Sequence, residues 1–279
     1  SINSMIRLCL FLGLIISMNG FSQTHHSYNL PKELNEISGI ASIGDTLIAA
    51  INDGGNEPLI YLLNFNGEVV KSVFVKNSQN VDWEDIASDG IHLYIGDIGN
   101  NTNKRKDLSI YIVSIDEVLT NSIVDAKKIS YNYEDQIDFP PNKDELFYDA
   151  EGLAFYKGSL WVLTKNRSSS GTAYLYKIPK NPGNHTAQKV TEVFIGENGW
   201  LSDGITAFDI TNDIFYALTY DKIFTMSFNN NSLAILNKKD IVSLKQRESL
   251  IVLKNGTIWL ADEKHMLLGH AKLYEYYND

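Results

Sequence analysis

Cys9 is the only cysteine in the 279 residues, and it lies inside the first apolar run. The chain therefore has no disulfide and no thiolate set for a soft metal. The six histidines stand at 25, 26, 92, 185, 265 and 270, without the spacing of a metal-binding cluster. Helical periodicity is nearly absent. No later apolar run approaches the ~20 residues needed to cross a bilayer as a helix. There is no Gly-x-Ser-x-Gly, no His-Glu-x-x-His and no phosphate-cradling glycine loop. Basic residues are in deficit, 24 against 34 acidic, for a net charge of -10. Such a surface repels nucleic acid and anionic membranes. These absences leave a soluble, acidic chain whose chemistry rests on oxygen ligands.

The first residues read as an export signal. Met5 and Arg7 open a short n-region, Leu8 to Ile16 is apolar, and Gly20-Phe21-Ser22 fits a small-x-small cleavage site. Residues 1–22 are expected to be a signal peptide, and residues 23–279 one domain of a secreted or periplasmic protein. Cys9 is too far from the cleavage point to carry a lipid.

A repeat fills the remainder. An acid followed by a small or acidic residue and an apolar pair occurs at Glu36-Ile37-Ser38-Gly39-Ile40-Ala41, Glu84-Asp85-Ile86-Ala87, Glu151-Gly152-Leu153-Ala154, Asp203-Gly204-Ile205-Thr206-Ala207 and Glu248-Ser249-Leu250-Ile251. A period of 40 to 50 residues marks a radially repeated sheet. Short apolar or alternating runs follow each repeat, broken by Gly, Asn and Asp turns. The fold class is all-β, a β-propeller of five four-stranded blades. The fifth lacks an outer strand, which Ser27 to Leu30 is expected to supply, closing the ring. Segments 97–107 and 134–148 are polar, fit no strand and widen one interval; six blades are the alternative.

In a propeller the first strand begins, and the second ends, at the same mouth. The expected metal ligands there are Glu36, Glu84, Glu151, Asp203 and Glu248, and the expected cofactor is Ca2+, a hard cation that takes six to eight oxygens. Glu84 and Glu151 are the candidates for activating water. Asp53, Asp97, Lys165, Arg247 and Lys264 are the candidate contacts for a small-molecule or protein ligand. Each has a structural alternative. First-strand acids can accept neighbouring backbone N–H groups, Asp53 and Asp97 can be turn residues, and Lys165, Arg167, Arg247 and Lys264 can be counter-charges. Trp83 and Trp200 read as packing between blades.

The segments Glu36-Ile37-Ser38-Gly39-Ile40-Ala41, Asn52-Asp53-Gly54-Gly55-Asn56, Asp82-Trp83-Glu84-Asp85-Ile86-Ala87, Tyr94-Ile95-Gly96-Asp97-Ile98-Gly99-Asn100-Asn101 and Asp149-Ala150-Glu151-Gly152-Leu153-Ala154 resemble those of a family of exported bacterial β-propellers. The signal segment ending in Phe-Ser-Gln resembles those of Bacteroidetes. More distantly, the chain is similar to gluconolactonase-like, phytase-esterase-like and calcium-activated nucleotidase propellers. It lacks the Glu-Gly-Pro opening and the paired asparagines of the gluconolactonases. The resemblance implies a propeller with a central divalent metal. Two functions follow: a ligand- or protein-binding module, or a metal-dependent phosphoester or lactone hydrolase.

Overall fold

Two-residue turns punctuate the strands wherever the chain supplies residues that tolerate positive φ. Lys157-Gly158, Asn212-Asp213 and Asn230-Asn231 all have φ between 45° and 79°, the conformation that matches the twist of a tight hairpin. The computed structural model describes residues 26–241, 246–264 and 269–276, so the expected signal peptide and Cys9 lie outside the described residues. No described helix is long and apolar enough to cross a membrane.

The strands assemble as β1 (His26–Asn29), then β2 (Ile37–Ile43), β3 (Leu47–Asn52), β4 (Leu59–Leu63) and β5 (Val69–Lys76) as unit one. Unit two is β6 (Trp83–Ser88), β7 (His92–Asp97), β8 (Ser109–Ser114) and β10 (Lys127–Tyr133), with helix α1 (Ile115–Thr120) and β9 (Ile123–Asp125) inserted before its last strand. Unit three is β11 (Ala150–Tyr156), β12 (Ser159–Thr164), β13 (Thr172–Pro179) and β14 (Gly183–Phe194). Helix α2 (Trp200–Asp203) precedes unit four, β15 (Ala207–Thr211), β16 (Ile214–Leu218), β17 (Lys222–Asn229) and β18 (Ser232–Asp240). Unit five is β19 (Arg247–Val252), β20 (Ile258–Asp262) and β21 (Lys272–Tyr276), completed by β1. Tyr28 of β1 faces Leu273 of β21 across an antiparallel ladder, so the expected closure by the N-terminal strand is observed.

The first strands close a ring: β2 packs on β6, β6 on β11, β11 on β15, β15 on β19, and β19 returns to β2. Between successive units lies a separate apolar layer, such as Ile51, Ile60, Trp83 and Tyr111 between units one and two. The corresponding layer of units three and four holds Trp161, Leu163, Phe215 and Phe224. This is a β-propeller, in which each sheet buries both faces against its neighbours.

Side chains also staple one first strand to the next. Asp85 accepts the N–H of Ile86 in its own strand and that of Leu153 in β11, both at 2.8 Å. Asp209 does the same with Ile210 and Val252, at 2.8 and 2.7 Å. Backbone acceptance by first-strand acids thus exists, on residues one position beyond Glu84 or far along β15.

Two features depart from the expected pattern. β9 runs parallel to β5, so unit two reaches back to strap unit one. β10 pairs in parallel with the early part of β14, joining units two and three into one eight-stranded sheet. The outer strand of unit three, β14, starts as early as Gly183, its first residues finding a partner edge in β10.

Candidate functional site

A shared irregularity sets the site. In four units the first and second strands slip by one residue at the same place. Ile37 faces Asn52 and then Gly39 faces Ile51; the same break falls between Trp83 and Asp85, Ala150 and Gly152, and Arg247 and Ser249. A bulge leaves its extra residue out of the ladder and re-aims its side chain. Those residues are Ser38, Glu84, Glu151 and Glu248. In unit four Thr206 holds the place. Its hydroxyl donates to the carbonyl of Arg247 at 2.6 Å, just as that of Ser38 donates to the carbonyl of Trp83 at 3.0 Å. Trp83 and Arg247 are the residues immediately before the bulge in the next unit.

This register corrects the expected equivalence of five acids. Glu84, Glu151 and Glu248 are equivalent, but Glu36 stands two residues before its unit's bulge residue, Ser38. Asp203 is not on a first strand at all: Gly199, at φ 79°, starts the short helix α2 that carries it.

Two further rows follow. The residues two before the bulge are Glu36, Asp82, Asp149 and Gln246. Their carbonyls accept the N–H groups of Asp53 (2.8 Å), Gly99 (3.2 Å), Lys165 (2.9 Å) and Glu263 (3.1 Å), the residues that leave the second strands. Asp53, Lys165 and Glu263 are therefore also equivalent, each directly after the second-strand residue paired before the bulge; unit two carries one extra residue there, Ile98, and Gly99 after it takes the corresponding hydrogen bond.

In unit two the residue that makes this bond has no side chain. A Cβ on Gly99 would overlap the carboxyls of Asp82 and Glu84. These two carboxyls pack against the Gly99 backbone, and with Asp53 they bring oxygens to within 4.8 Å of one another. The Asp53 carboxyl accepts the N–H of Gly54, while no described donor bonds the carboxyls of Asp82 or Glu84. Burial, then the charges of Asp53 and Asp149, push Asp82 up to about 7. Burial, then Glu151 and Asp53, push Glu84 well above the carboxylate range. Burial chiefly raises Asp53 as well. Three oxygen donors at this separation fit a hard divalent cation.

Unit three answers the same pattern differently. Lys165 makes the backbone hydrogen bond that Gly99 makes in unit two, and its ammonium donates to both oxygens of Glu151 at 2.8 and 2.7 Å and to the Tyr220 hydroxyl at 3.1 Å. The guanidinium of Arg167 bonds Asp149 at 2.5 Å and Glu151 at 3.0 Å, and lies 4.6 Å over the Trp200 ring. Burial works against the ammonium, but Glu151 and Glu248 outweigh it and hold Lys165 well above the ordinary lysine range. Burial lifts the Glu151 carboxyl while Lys165 lowers it. With an ammonium on both oxygens, the ionised pair is the form that fits.

Glu248 and Glu263 stand near the same charges. Burial and Glu151 raise Glu248 strongly; burial, Asp53 and Glu36 push Glu263 up to about 7. Asp53, Asp82, Glu84, Asp149, Glu151, Glu248 and Glu263 thus face two cations, Lys165 and Arg167. Five negative charges would remain if all seven ionised.

The other candidates lie apart from this cluster or serve it structurally. Asp97 is buried, bonded by Arg105 at 2.8 Å, and accepts the N–H of Asp82 at 3.1 Å; it positions Asp82. Glu36 accepts from Asn56 at 2.8 Å. Asp203 accepts the N–H of Asn198 at 2.8 Å and faces Lys222 at 3.7 Å. Arg247 is buried 5.0 Å from the Tyr274 ring, with Asp262 the charge that acts on it most. Lys264 is exposed. Asp82, Asp149 and Arg105 were not among the expected site residues. The repeated Asp-x-Glu at 82–84 and 149–151 was the available signal, since alternate residues of a strand share a face.

Beyond Asp97, which ends β7, the segments 98–107 and 134–148 form no strand and dock on each other beside the cluster. Asn103 joins them through Gln136 (3.0 Å) and the N–H of Tyr148 (2.7 Å), and Asn100 accepts the N–H of Arg105 and donates to the carbonyl of Tyr148. Asn101 meets the guanidinium of Arg167. At the opposite end of the first strands lies a cavity of about 440 Å³, lined by residues such as Ile40, Ile86, Leu153, Phe155, Phe208 and Leu250. It is roomy but holds none of the clustered carboxyls.

No family model and no curated protein matches the chain. Solved structures do. An oxidoreductase of Thermus thermophilus described as a glucose dehydrogenase has a TM-score of 0.52 at 8% identity, over 91% of this chain and 100% of that one. A second glucose dehydrogenase gives 0.50 at 9% identity, with 91% and 100% covered. The WD40 β-propeller domain of Doa1 gives 0.39 at 10%, with 85% and 66% covered. At these identities the likeness is one of fold, and fold alone names no reaction.

Proposed function

We propose that this chain is an exported β-propeller that binds a hard divalent cation, calcium foremost, on Asp53, Asp82 and Glu84, and uses the loaded mouth to hold a ligand. One observation carries the reading: in unit two, the carboxyls of Asp82 and Glu84, without a donor among the described residues, and that of Asp53 bring oxygens within 4.8 Å of one another, packed directly against Gly99. Carboxylates so placed repel one another unless a cation or protons offset them. The bound cation would supply a positive centre for an anionic or carbonyl group of a small molecule or protein. The docked loops 98–107 and 134–148, with Trp200, form the rim that such a ligand meets.

Because only the native state assembles these three groups, calcium should raise the melting temperature and EDTA should remove the gain. Asp82→Asn should abolish the response. A melting temperature indifferent to both reagents sinks the reading. Ligand distances of about 2.3–2.6 Å in a calcium-soaked crystal would distinguish calcium from magnesium.

A second reading, a metal-dependent hydrolase of phosphoesters or lactones, draws support from Glu248 and Glu263. These lie near the same charges without serving the cation, and one could accept a proton from water. Glu151, committed to Lys165 and Arg167, is a poor base; Glu84 is a ligand in this reading. A Glu248→Gln/Glu263→Gln variant that binds calcium normally separates the two. Loss of a hydrolytic activity present in the wild type favours the enzyme, and unchanged turnover over a panel of such substrates ends it.

A further inference from the structure

We propose that Lys165 sets the ion stoichiometry of the acidic cluster: its ammonium stands on the Glu151 carboxyl where a second divalent cation would otherwise sit. This rests in part on the cation reading above, but the two can fail separately.

The backbone register makes the comparison like for like. Lys165, Asp53 and Glu263 leave their second strands at equivalent points, each bonded through its N–H to the residue two before the bulge position. Two of these three equivalent side chains are acids, and the third is a cation. Glu151 and Glu248 are equivalent bulge residues, as is Glu84. Without Lys165, unit three would present Asp149 and Glu151, and unit five Glu248 and Glu263, with Arg167 as the only nearby cation of unit three.

The ammonium itself behaves as a bound ion does. It is 2% exposed, touches both Glu151 oxygens, is held by the Tyr220 hydroxyl, and lies 4.8 Å from the Tyr220 ring. Gly204 makes room for its stem, since a Cβ there would lie 3.0 Å from the Lys165 Cε. A tethered ammonium carries one charge and at most three donors. A free divalent ion carries twice the charge and takes more oxygens. Fixing one charge covalently leaves Asp53, Asp82 and Glu84 as the place for an exchangeable ion. It also ties the third unit shut whatever the calcium level.

Calcium titration calorimetry on the full chain, with melting in EDTA and in millimolar calcium, tests this. Lys165→Gln keeps length and polarity and removes the charge. The expected result is one more bound calcium than wild type, a lower melting temperature in EDTA, and a larger calcium-induced rise than wild type shows. Glu248→Gln placed on Lys165→Gln should remove that extra ion. An unchanged stoichiometry, or a deficit in melting temperature that calcium does not reduce, overturns the proposal. So does a Lys165→Gln chain that stays aggregated in millimolar calcium, because the ion is what should replace the ammonium. If wild type binds no calcium but Lys165→Gln binds one, the stoichiometry proposal stands and the cation reading of unit two falls. One ion in each protein has the opposite meaning.

Discussion

Asp82 and Glu84 of unit two face a glycine, whereas Asp149 and Glu151 of unit three face a lysine. The two pairs share an Asp-x-Glu spacing, a bulge at the same register and a backbone hydrogen bond from the chain leaving the second strand to the Asp carbonyl, made one residue later in unit two. Among the described residues one pair is left without donors; the other is closed by Lys165 and Arg167. The difference teaches that the acid does not define the site in a repeated sheet. The residue that crosses from the neighbouring strand decides whether a carboxylate is a free ligand or half of an ion pair.

The sharpest break of this comparison is to remove the same charge from each pair. Glu151→Gln leaves a buried ammonium and a guanidinium short of their partner, and losing one member of a buried pair costs about 3–5 kcal/mol. Glu84→Gln relieves repulsion, so in EDTA its stability should equal or exceed wild type while its calcium response disappears. Urea unfolding in EDTA reads both. Two variants destabilised to a similar degree would show that the units do not differ as described.

Acidity gives the next largest effect. Asp82 and Glu263 are pushed up to about 7 and Asp209 to about 6. For a carboxyl raised in the folded state, the stabilising contribution is complete below its unfolded value, near 4, and is lost as pH rises through the folded value. In EDTA, stability should therefore fall between pH 5 and 8 by on the order of a few kcal/mol, less what solvent screens at half-buried Asp82. Calcium should flatten the curve from its high-pH side. A stability in EDTA that rises over this window contradicts the assignment of uncompensated charge.

Gly99→Ala comes third. Its methyl would push into the carboxyls of Asp82 and Glu84, and small-to-large changes in a filled site cost about 1–3 kcal/mol. The calcium-induced rise in melting temperature should shrink towards zero, while the Glu151–Lys165 pair is untouched. A calcium response equal to wild type would mean that the carboxyls packed against Gly99 are not the site.

Much of the fold was legible because each unit repeats its strands and turns, and because Ser27 and its neighbours had no partner except the last unit. The strap β9 and the β10–β14 junction were not, since parallel pairing between units leaves no periodic trace in a short segment. In the site, Glu84, Asp53 and Lys165 could be found from the ends of strands one and two. Their roles could not. Whether Glu36 or Ser38 matches Glu84 depends on a one-residue slip in the ladder, and a slip of one moves a side chain to the other face. Asp203 shows the other failure: an acid at the right spacing can belong to a helical turn when a glycine such as Gly199 opens it.

The smallest effect concerns buried carboxyls that do have donors. Asp209 is half-buried like Glu84, yet two backbone N–H groups, from Ile210 and from Val252 of the next unit, bond it. Asp209→Asn keeps one acceptor oxygen, leaves one N–H facing an amide, and removes a desolvated charge. The lost hydrogen bond costs about 1 kcal/mol and the removed charge offsets part of it. The variant should lie within about 1 kcal/mol of wild type at pH 8 and respond to calcium as wild type does. A full loss of the calcium response would mean that the carboxyl which staples units four and five also governs the cluster, and the division between stapling acids and ligand acids would have to be redrawn.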